Sequence, residues 1–295
     1  MPARTVLLLF LANLAWALNV IVSKLAVEDL GVPPLFYAGL RALVTIVVLA
    51  PLLRPLPKDW LRTALVGLAI GGGSFALFAL GLQTASPSAA GIVGLSGAPM
   101  TVLLAIVLLG EKVRWRRGIG IALAVTGVVI AIASPSGWES SGGVAWILVS
   151  CLVGALGSIY VKRIEAGGRQ LQAWSALASF TVLMPLALVT ESGFVAPIVA
   201  DPLAVIGCLI FAGLIVSVYA HTIYFNALKT HDANLVVPFT LLHPLMTVAL
   251  GAWLTGDSVG WPLLIGGGIA VTGVAILVVR PSTTFTRRLL VRSRL

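Results

Sequence analysis

Residues 124–130 read AVTGVVI, and residues 270–276 read AVTGVAI. The two heptads are 146 positions apart, and the same offset aligns residues 81–135 with residues 227–281 without a gap. About 20 of those 55 aligned positions are identical, among them the pair Gly110 and Gly256. A match of this length at one offset indicates an internal duplication. The chain is therefore predicted to contain two copies of one structural unit.

The composition places both copies in a membrane. Hydrophobic residues make up 59% of the chain, charged residues make up 10%, and the mean hydropathy is +1.08. A soluble domain has about 25% charged residues, so this chain has too few to form a water-exposed surface. The two cysteines, Cys151 and Cys208, lie in apolar runs, and no disulfide framework is predicted.

Ten segments are long and apolar enough to span a bilayer as helices, which takes about 20 residues each. They are residues 5–27, 35–53, 61–82, 87–109, 116–134, 143–162, 171–190, 203–228, 232–254 and 259–279. The first could pass for a signal peptide, but a series of similar segments follows it, so we interpret it as a retained span. No segment is left over for a soluble domain.

The basic residues predict the orientation of these spans. Of the 19 Lys and Arg residues, 17 fall on one side when the loops alternate between two faces, and only Lys24 and Arg41 lie within spans. Basic loops stay in the cytoplasm, so both termini are predicted to be cytoplasmic. The net charge of +9 is then a topology signal and does not indicate a nucleic-acid partner. The basic tail is expected to lie against anionic lipid.

Five spans per copy is an odd number, so the second copy must insert upside down relative to the first. The charges agree, because GEKVRWRRG at 110–118 becomes GDSVGWPLL at 256–264, without its cations. We predict an all-α membrane protein with a first repeat at 1–138, an inverted second repeat at 139–281 and a basic tail at 282–295. Inverted repeats are typical of secondary transporters, whose substrate site lies near the midplane and whose access alternates.

The acidic residues bear on ion coupling. All of them fall in loops or at span ends, whereas proton- or sodium-coupled carriers usually bury a carboxylate in the membrane. Facilitated diffusion is therefore at least as well supported as coupled antiport, and pumps that bind cationic drugs through a buried Glu are disfavoured.

Polar and aromatic side chains within the spans are the candidates for a midplane binding site. The candidates are Asn13, Trp16, Asn19, Phe75, Phe78, Ser96, Met100, Ser158, Tyr160, His221, Tyr224, Phe239, His243 and Met246. The 146-residue offset maps Phe75 and Phe78 onto His221 and Tyr224, so these pairs are expected to line the site from opposite repeats. Such a pocket suits aromatic or large aliphatic amino acids. Ordinary helix packing is the alternative for each residue.

The remaining intramembrane features have structural explanations. Lys24 and Arg41 are expected to snorkel or to pair with Glu28 or Asp29, although Arg41 is also a candidate partner for a substrate carboxylate. Pro99, Pro238 and Pro244 predict breaks in the fourth and ninth spans, at the site or at hinges. The run GGGS at 71–74 lacks the phosphate-loop pattern, and close helix packing explains it better.

Several motifs together resemble a known family. They are the Gly110-Glu111 and Gly256-Asp257 pairs, the AVTGV helices, AWALNVIVSK at 15–24 and FYAGLRA at 36–42. The chain resembles EamA-type transporters of the drug/metabolite transporter superfamily, most closely the bacterial YddG-like exporters of aromatic amino acids. The resemblance implies a multi-pass protein of the bacterial inner membrane that exports amino acids and has no cofactor or metal. A monomer is the working expectation.

Other functions stay open. Within the transporter class, the substrate could be sugars, nucleosides or cationic compounds moved by proton antiport. A membrane-embedded enzyme would need a nucleophile–base pair or a metal cluster, and the spans offer only His221 and His243. A scaffold would show no alternating accessibility.

Overall fold

The computed structural model describes residues 2–110, 115–133, 141–161, 164–231 and 236–279. The helices that correspond to the predicted spans are α1 (Ala3–Asp29), α2 (Pro34–Leu53), α3 (Trp60–Leu82), α4 (Pro87–Leu108), α5 (Trp115–Ile132), α6 (Ser141–Val161), α7 (Gly168–Thr190), α8 (Pro202–Tyr224), α9 (Phe239–Thr255) and α10 (Trp261–Val279). A short helix at Val195–Ala200 lies between α7 and α8.

The predicted all-helical membrane class agrees with these elements. Within the described ranges there is no strand, and eight helices are long and apolar enough to cross a membrane. The fifth and ninth predicted spans contain the shorter apolar helices Gly118–Ile132 and Phe239–Thr255. Ten crossings, the inversion of the second repeat and the cytoplasmic termini stay predictions. The basic tail lies outside the described residues.

Contacts between the helices repeat when the two halves are exchanged. Helix α1 packs on α8 and α9, and its counterpart α6 packs on α3 and α4. Likewise α2 packs on α8, and its counterpart α7 packs on α3. Three further contacts join a helix to its own counterpart in the other half: α2–α7, α4–α9 and α5–α10. This exchange is the arrangement expected of two repeats related by a two-fold axis.

The AVTGV helices form the most closely packed of these pairs, which we call the α5–α10 seam. An added Cβ at Gly127 would overlap the backbone of Ala270, and one at Gly273 would overlap the backbone of Ala124. Both alanines are fully buried. Small residues let membrane helices approach until their backbones touch. The two heptads therefore pack with their backbones in direct contact.

Helices α4 and α9 end in the same way. Gly110 and Gly256 follow them with φ values of 63° and 68°, the left-handed conformation that glycine adopts without strain. The acidic residue of the motif comes next. The Asp257 carboxylate accepts a hydrogen bond from the Ser88 N–H at the start of α4 (2.8 Å). Glu111 lies outside the described residues.

The breaks predicted from proline are present in both helices. In α4, regular α-helix stops at Gly94 and resumes at Gly97, with tighter 3₁₀-type bonds at Leu95 and Ser96. Pro99 cannot donate to the Leu95 carbonyl, which explains the position. In α9, a 3₁₀ turn at Val237–Leu241 precedes regular helix. Under the 146-residue offset the break in α4 maps to residues 241–242, so the two breaks overlap at Leu241.

Helices α3 and α8 carry a second matched irregularity. Residues Ala69–Gly73 of α3 have π-helical bonding, with Gly71 outside the helical region at φ −109° and ψ −107°. Residues Phe211–Ala220 of α8 also have π-helical bonding, and the offset places the α3 segment within them. Such bulges frequently occur at functional sites.

The GGGS run of α3 packs against α7, as predicted. The Gly72 N–H donates to the Ser179 hydroxyl (3.1 Å), and the Ser175 hydroxyl donates to the Gly67 carbonyl (2.5 Å). An added Cβ at Gly67 would lie 2.7 Å from the Ser175 Cα. A side chain at Gly67 or Gly72 would therefore overlap α7.

Three polar contacts join helix ends on the face predicted to lie outside, and we call them the outer ties. The Glu191 carboxylate accepts hydrogen bonds from the backbone N–H groups of residues 35 and 36 at the start of α2 (2.8 and 2.9 Å). The Lys24 ammonium donates to the Ala85 carbonyl in the α3–α4 turn (3.2 Å). The third is the bond between Asp257 and Ser88. Two of the three connect the first half to the second.

Candidate functional site

A cavity of about 300 Å³ lies where helices of both halves meet, and we call it the aromatic cavity. Its lining residues are Trp16, Asn19, Val20, Arg41, Phe75, Phe78, Val216, His221, Thr240 and His243. They come from α1, α2 and α3 of the first half and from α8 and α9 of the second. The lining is mainly aromatic and apolar, with a few hydrogen-bonding groups.

A second cavity of about 390 Å³ adjoins the first, and we call it the serine-rich cavity. The two share Arg41, Phe75, Phe78 and His221. Hydroxyl and amide groups distinguish the second: its polar lining residues include Thr45, Ser74, Ser150, Gln172, Ser175, Ser179 and Ser217. The aromatic cavity therefore meets the serine-rich cavity at Arg41.

Trp16 anchors the wall of the aromatic cavity. Its ring meets His221 edge-on with centroids 5.4 Å apart, and it meets Tyr224 edge-on at 5.5 Å. The His221 Nδ1 lies 2.8 Å from the Val216 carbonyl, so this ring nitrogen is oriented by the π-helical segment of α8. Edge-to-face contacts of this kind hold aromatic rings in fixed positions.

Arg41 lies at the junction of the two cavities. Its Nε donates to the Ser217 hydroxyl (3.0 Å), and its guanidinium carbon lies 3.8 Å from the centroid of the Phe75 ring. The expected snorkelling or pairing with Glu28 or Asp29 is wrong for Arg41, because its side chain turns inward to α8 and α3. For Lys24 the expectation is confirmed, since its ammonium pairs with Glu28 one turn later.

Seven of the predicted residues line a cavity: Trp16, Asn19, Phe75, Phe78, His221 and His243, together with Arg41. The expected opposition of Phe75 and Phe78 to residues of the other half is present for His221. Tyr224 instead packs behind Trp16, within a cluster that contains Leu9.

The other predicted residues line neither cavity; they are Asn13, Ser96, Met100, Ser158, Tyr160, Tyr224, Phe239 and Met246. Backbone carbonyls of their own helices accept hydrogen bonds from two of them. The Asn13 amide donates to the Leu9 carbonyl (2.8 Å), and the exposed Ser158 hydroxyl donates to the Gly154 carbonyl (2.7 Å).

The polar residues of the serine-rich cavity were not predicted. Gln172, Ser175 and Ser179 recur at helical spacing within α7, which places them on one face of that helix. An intramembrane polar stripe of this kind was a usable signal. Ser217 and Thr240 stand alone in apolar runs and had no such pattern.

None of the acidic residues described in the structure lines either cavity. Glu111, Glu139 and Asp232 lie outside the described residues. In the part of the chain that is described, no group of three or more His, Cys, Asp or Glu side chains could hold a metal ion. Both cysteines are free.

Comparison with protein families gives one match, which occurs twice. The model described as the EamA-like transporter family matches residues 3–133 and again residues 141–279. A solved crystal structure covers 98% of this chain and 99% of its own, with a TM-score of 0.61 and 21% identity, and so supports the fold.

Several curated proteins are similar along nearly their whole length. A probable amino-acid metabolite efflux pump of Salmonella typhimurium is 27% identical over 280 residues, which is 91% of this chain and 93% of the relative. The inner membrane transporter YedA of Escherichia coli is 29% identical over 91% of this chain and 89% of its own. A probable terminal-alkyne amino-acid exporter of Streptantibioticus cattleyicolor is 26% identical, with 93% of each chain covered.

Proposed function

The chain belongs to the EamA-like transporter family, and on that premise we propose that it exports small amphipathic metabolites, chiefly aromatic and other hydrophobic amino acids. At the coarser level, it is a multi-pass transporter of the inner membrane rather than an enzyme. Two of the similar proteins carry names that refer to amino-acid export.

The proposed substrate class is inferred from the junction of the aromatic cavity with the serine-rich cavity. Trp16, Phe78 and His221 offer ring surfaces to an apolar side chain, while hydroxyl groups and Arg41 offer hydrogen bonds on the other side. Ligand sites are typically apolar with a few convergent polar groups. An amino acid with a large side chain has both kinds of surface.

The proposed mechanism is alternating access by rocking of one repeat against the other. Helices from both halves line the aromatic cavity, so relative movement of the halves would change its access. The matched breaks of α4 and α9 and the matched π-helical segments of α3 and α8 are suitable points for bending.

Uniport is the proposed mode of transport. Proton coupling usually needs an intramembrane carboxylate, and no described acidic residue lines a cavity. His221 and His243 are the remaining candidates for binding a proton among the described cavity residues. Ordinary helix packing also explains the presence of each.

Flux in proteoliposomes tests this proposal. We expect vesicles containing the purified protein to take up labelled phenylalanine, tryptophan and leucine down a concentration gradient, with no ion gradient imposed. Protein-free vesicles of the same lipid supply the background. Strict dependence on a pH gradient would contradict uniport.

A counterflow panel identifies the substrate class in the same vesicles. Internal phenylalanine, a sugar, a nucleoside or a cationic drug is tested for its ability to drive exchange. Exchange with the sugar, the nucleoside or the drug but not with phenylalanine would replace amino acids with that class.

A further inference from the structure

We propose that Arg41 binds the carboxylate of the substrate and that the carboxylate, more than the ammonium group, is what this transporter requires of an apolar solute. The inference rests on the proposed function, because it specifies the recognised group within the same site. It assigns to Arg41 a binding role, with Phe75 and Ser217 as the residues that position it.

The guanidinium is held on one edge and one face. Its Nε donates to the Ser217 hydroxyl, which in turn donates to the Ala212 carbonyl (2.9 Å), so both hydrogen-bonding directions of this hydroxyl are occupied. The Phe75 ring covers one face of the guanidinium plane at 3.8 Å. A side chain fixed in this way loses little freedom when a ligand binds.

The charge of Arg41 has no protein counter-ion in the structure as described. Among the described residues, Lys24 and Glu28 form the one recorded ion pair, and no described acidic residue lines a cavity with Arg41. Its Nη1 is buried without a hydrogen-bond partner in the described part of the chain. A buried charge is stable only when it is paired or well solvated by dipoles.

A carboxylate is the ligand group that fits this arrangement. A guanidinium carries five N–H donors in a planar fork that matches the two oxygens of a carboxylate. With Nε engaged by Ser217, the Nη groups are left for the ligand. The position at the junction of the cavities lets the carboxylate meet Arg41 while the side chain enters the aromatic cavity.

Among the described residues that line the cavities, the ammonium group of an amino acid finds only neutral acceptors. The Asn19 Oδ1 is buried without a partner in the described residues, and Asn19 lines the aromatic cavity with Arg41. A neutral oxygen stabilises a cation less than a carboxylate does. Loss of the ammonium should therefore weaken binding less than loss of the carboxylate.

Competition in the counterflow assay tests this order of requirements. Vesicles preloaded with phenylalanine take up labelled L-phenylalanine in the presence of L-phenylalaninamide, phenethylamine or 3-phenylpropionate. We expect 3-phenylpropionate to compete within about threefold of L-phenylalanine, whereas the amide and the amine compete at least about tenfold more weakly, the effect of about one lost charge-assisted bond.

Two variants test whether the preference for a carboxylate depends on the Arg41 side chain. In Arg41→Gln we expect the KM for phenylalanine to rise about tenfold or more and its advantage over the amide to disappear. Arg41→Lys should restore part of that advantage, because it keeps the charge without the fork. Lys24→Gln is the matched control, since Lys24 is the other intramembrane cation but lines neither cavity. Its ratio of competitor affinities should equal that of the unaltered protein.

The outcomes separate the inference from the proposed function. Equal competition by the amide and the acid, or an unchanged preference in Arg41→Gln, would overturn the role of Arg41 while phenylalanine export stands. Failure of the unaltered protein to move any amino acid would overturn the proposed function itself. If Arg41→Gln does not fold, ligand-induced thermal stabilisation of the unaltered protein decides, and equal stabilisation by 3-phenylpropionate and phenethylamine contradicts the inference.

Discussion

Trp16 connects the two halves of the molecule at the cavity wall. It belongs to α1, and both of its edge-on partners, His221 and Tyr224, belong to α8 of the second half. Its ring therefore contributes to the wall of the aromatic cavity and to the contact between the halves. Tyr224 supports that ring from behind and lines neither cavity.

We expect Trp16→Ala to reduce phenylalanine flux by about tenfold, since aromatic contacts contribute about 0.5–1.5 kcal/mol beyond area burial and the ring forms part of the site. Tyr224→Ala should reduce it less, because the loss acts through Trp16. Proteoliposome flux, normalised to the amount of inserted protein, measures both.

Trp253→Ala is the matched control for these substitutions. Trp253 lies within α9, but 80% of its surface is exposed on the outside of the helix bundle. Its loss should leave flux unchanged. Unchanged flux in Trp16→Ala would remove Trp16 from the site, and unchanged flux in Tyr224→Ala would contradict its role in supporting the Trp16 ring.

At this scale the sequence predicts the types of residues at the site better than their positions. Asn13, Trp16 and Asn19 recur at helical spacing and so lie on one face of α1, yet only Trp16 and Asn19 line a cavity. Spacing identifies a face, but the neighbouring helix that covers part of that face depends on tertiary packing. For the same reason Arg41 could not be assigned a partner before α8 was placed.

Some irregular segments of the helices can be predicted from the sequence, and others cannot. The breaks in α4 and α9 follow from proline, which removes a backbone donor. The π-helical segment Phe211–Ala220 of α8 contains no proline and is apolar almost throughout, so nothing in its pattern distinguishes it from regular helix. Its counterpart in α3 contains the glycines at 71–73 and was explained by packing alone.

Substitution of Gly273 tests the α5–α10 seam. We expect Gly273→Val to lower the apparent unfolding temperature in detergent by roughly 2–12 °C, because overpacking costs about 1–3 kcal/mol and each kcal/mol corresponds to about 2–4 °C in domains of 150–250 residues. The control is Gly268→Val on the same helix, where an added Cβ has no neighbour within 4 Å. An equal effect of both variants would show that the seam has no special role.

Across the whole molecule, the outer ties close one face of the bundle. They join the start of α2 to the end of α7, the start of α4 to the turn after α9, and the end of α1 to the α3–α4 turn. If the predicted orientation holds, these bonds hold the helix ends together on the outer side of the membrane. Export would then require these bonds to break in each cycle.

We expect Glu191→Gln combined with Asp257→Asn to shift the resting population toward the outward-open state. Hydrogen bonds to charged groups contribute about 1.5–3 kcal/mol, so the shift should be about tenfold or larger. A membrane-impermeant maleimide should then label Val20→Cys faster from outside, in a background where Cys151 and Cys208 are replaced by Ala and Ser.

Asp201→Asn in the same background is the control. Asp201 lies on the same predicted face, but the hydrogen bond that its carboxylate accepts within the described residues comes from the Ala204 N–H at the start of its own helix (3.0 Å). Labelling should not change. Faster labelling of the cavity from the cytoplasmic side in the double variant would contradict the predicted orientation.

The α5–α10 seam also determines when the molecule can be completed during synthesis. Helix α5 emerges from the ribosome first. The heptad of α10 that packs against it follows 146 residues later. At about 5–20 residues per second, the glycine surface of α5 stays uncovered for roughly 7 to 30 s. A nascent chain that stops before α10 leaves that surface open to lipid or to other chains.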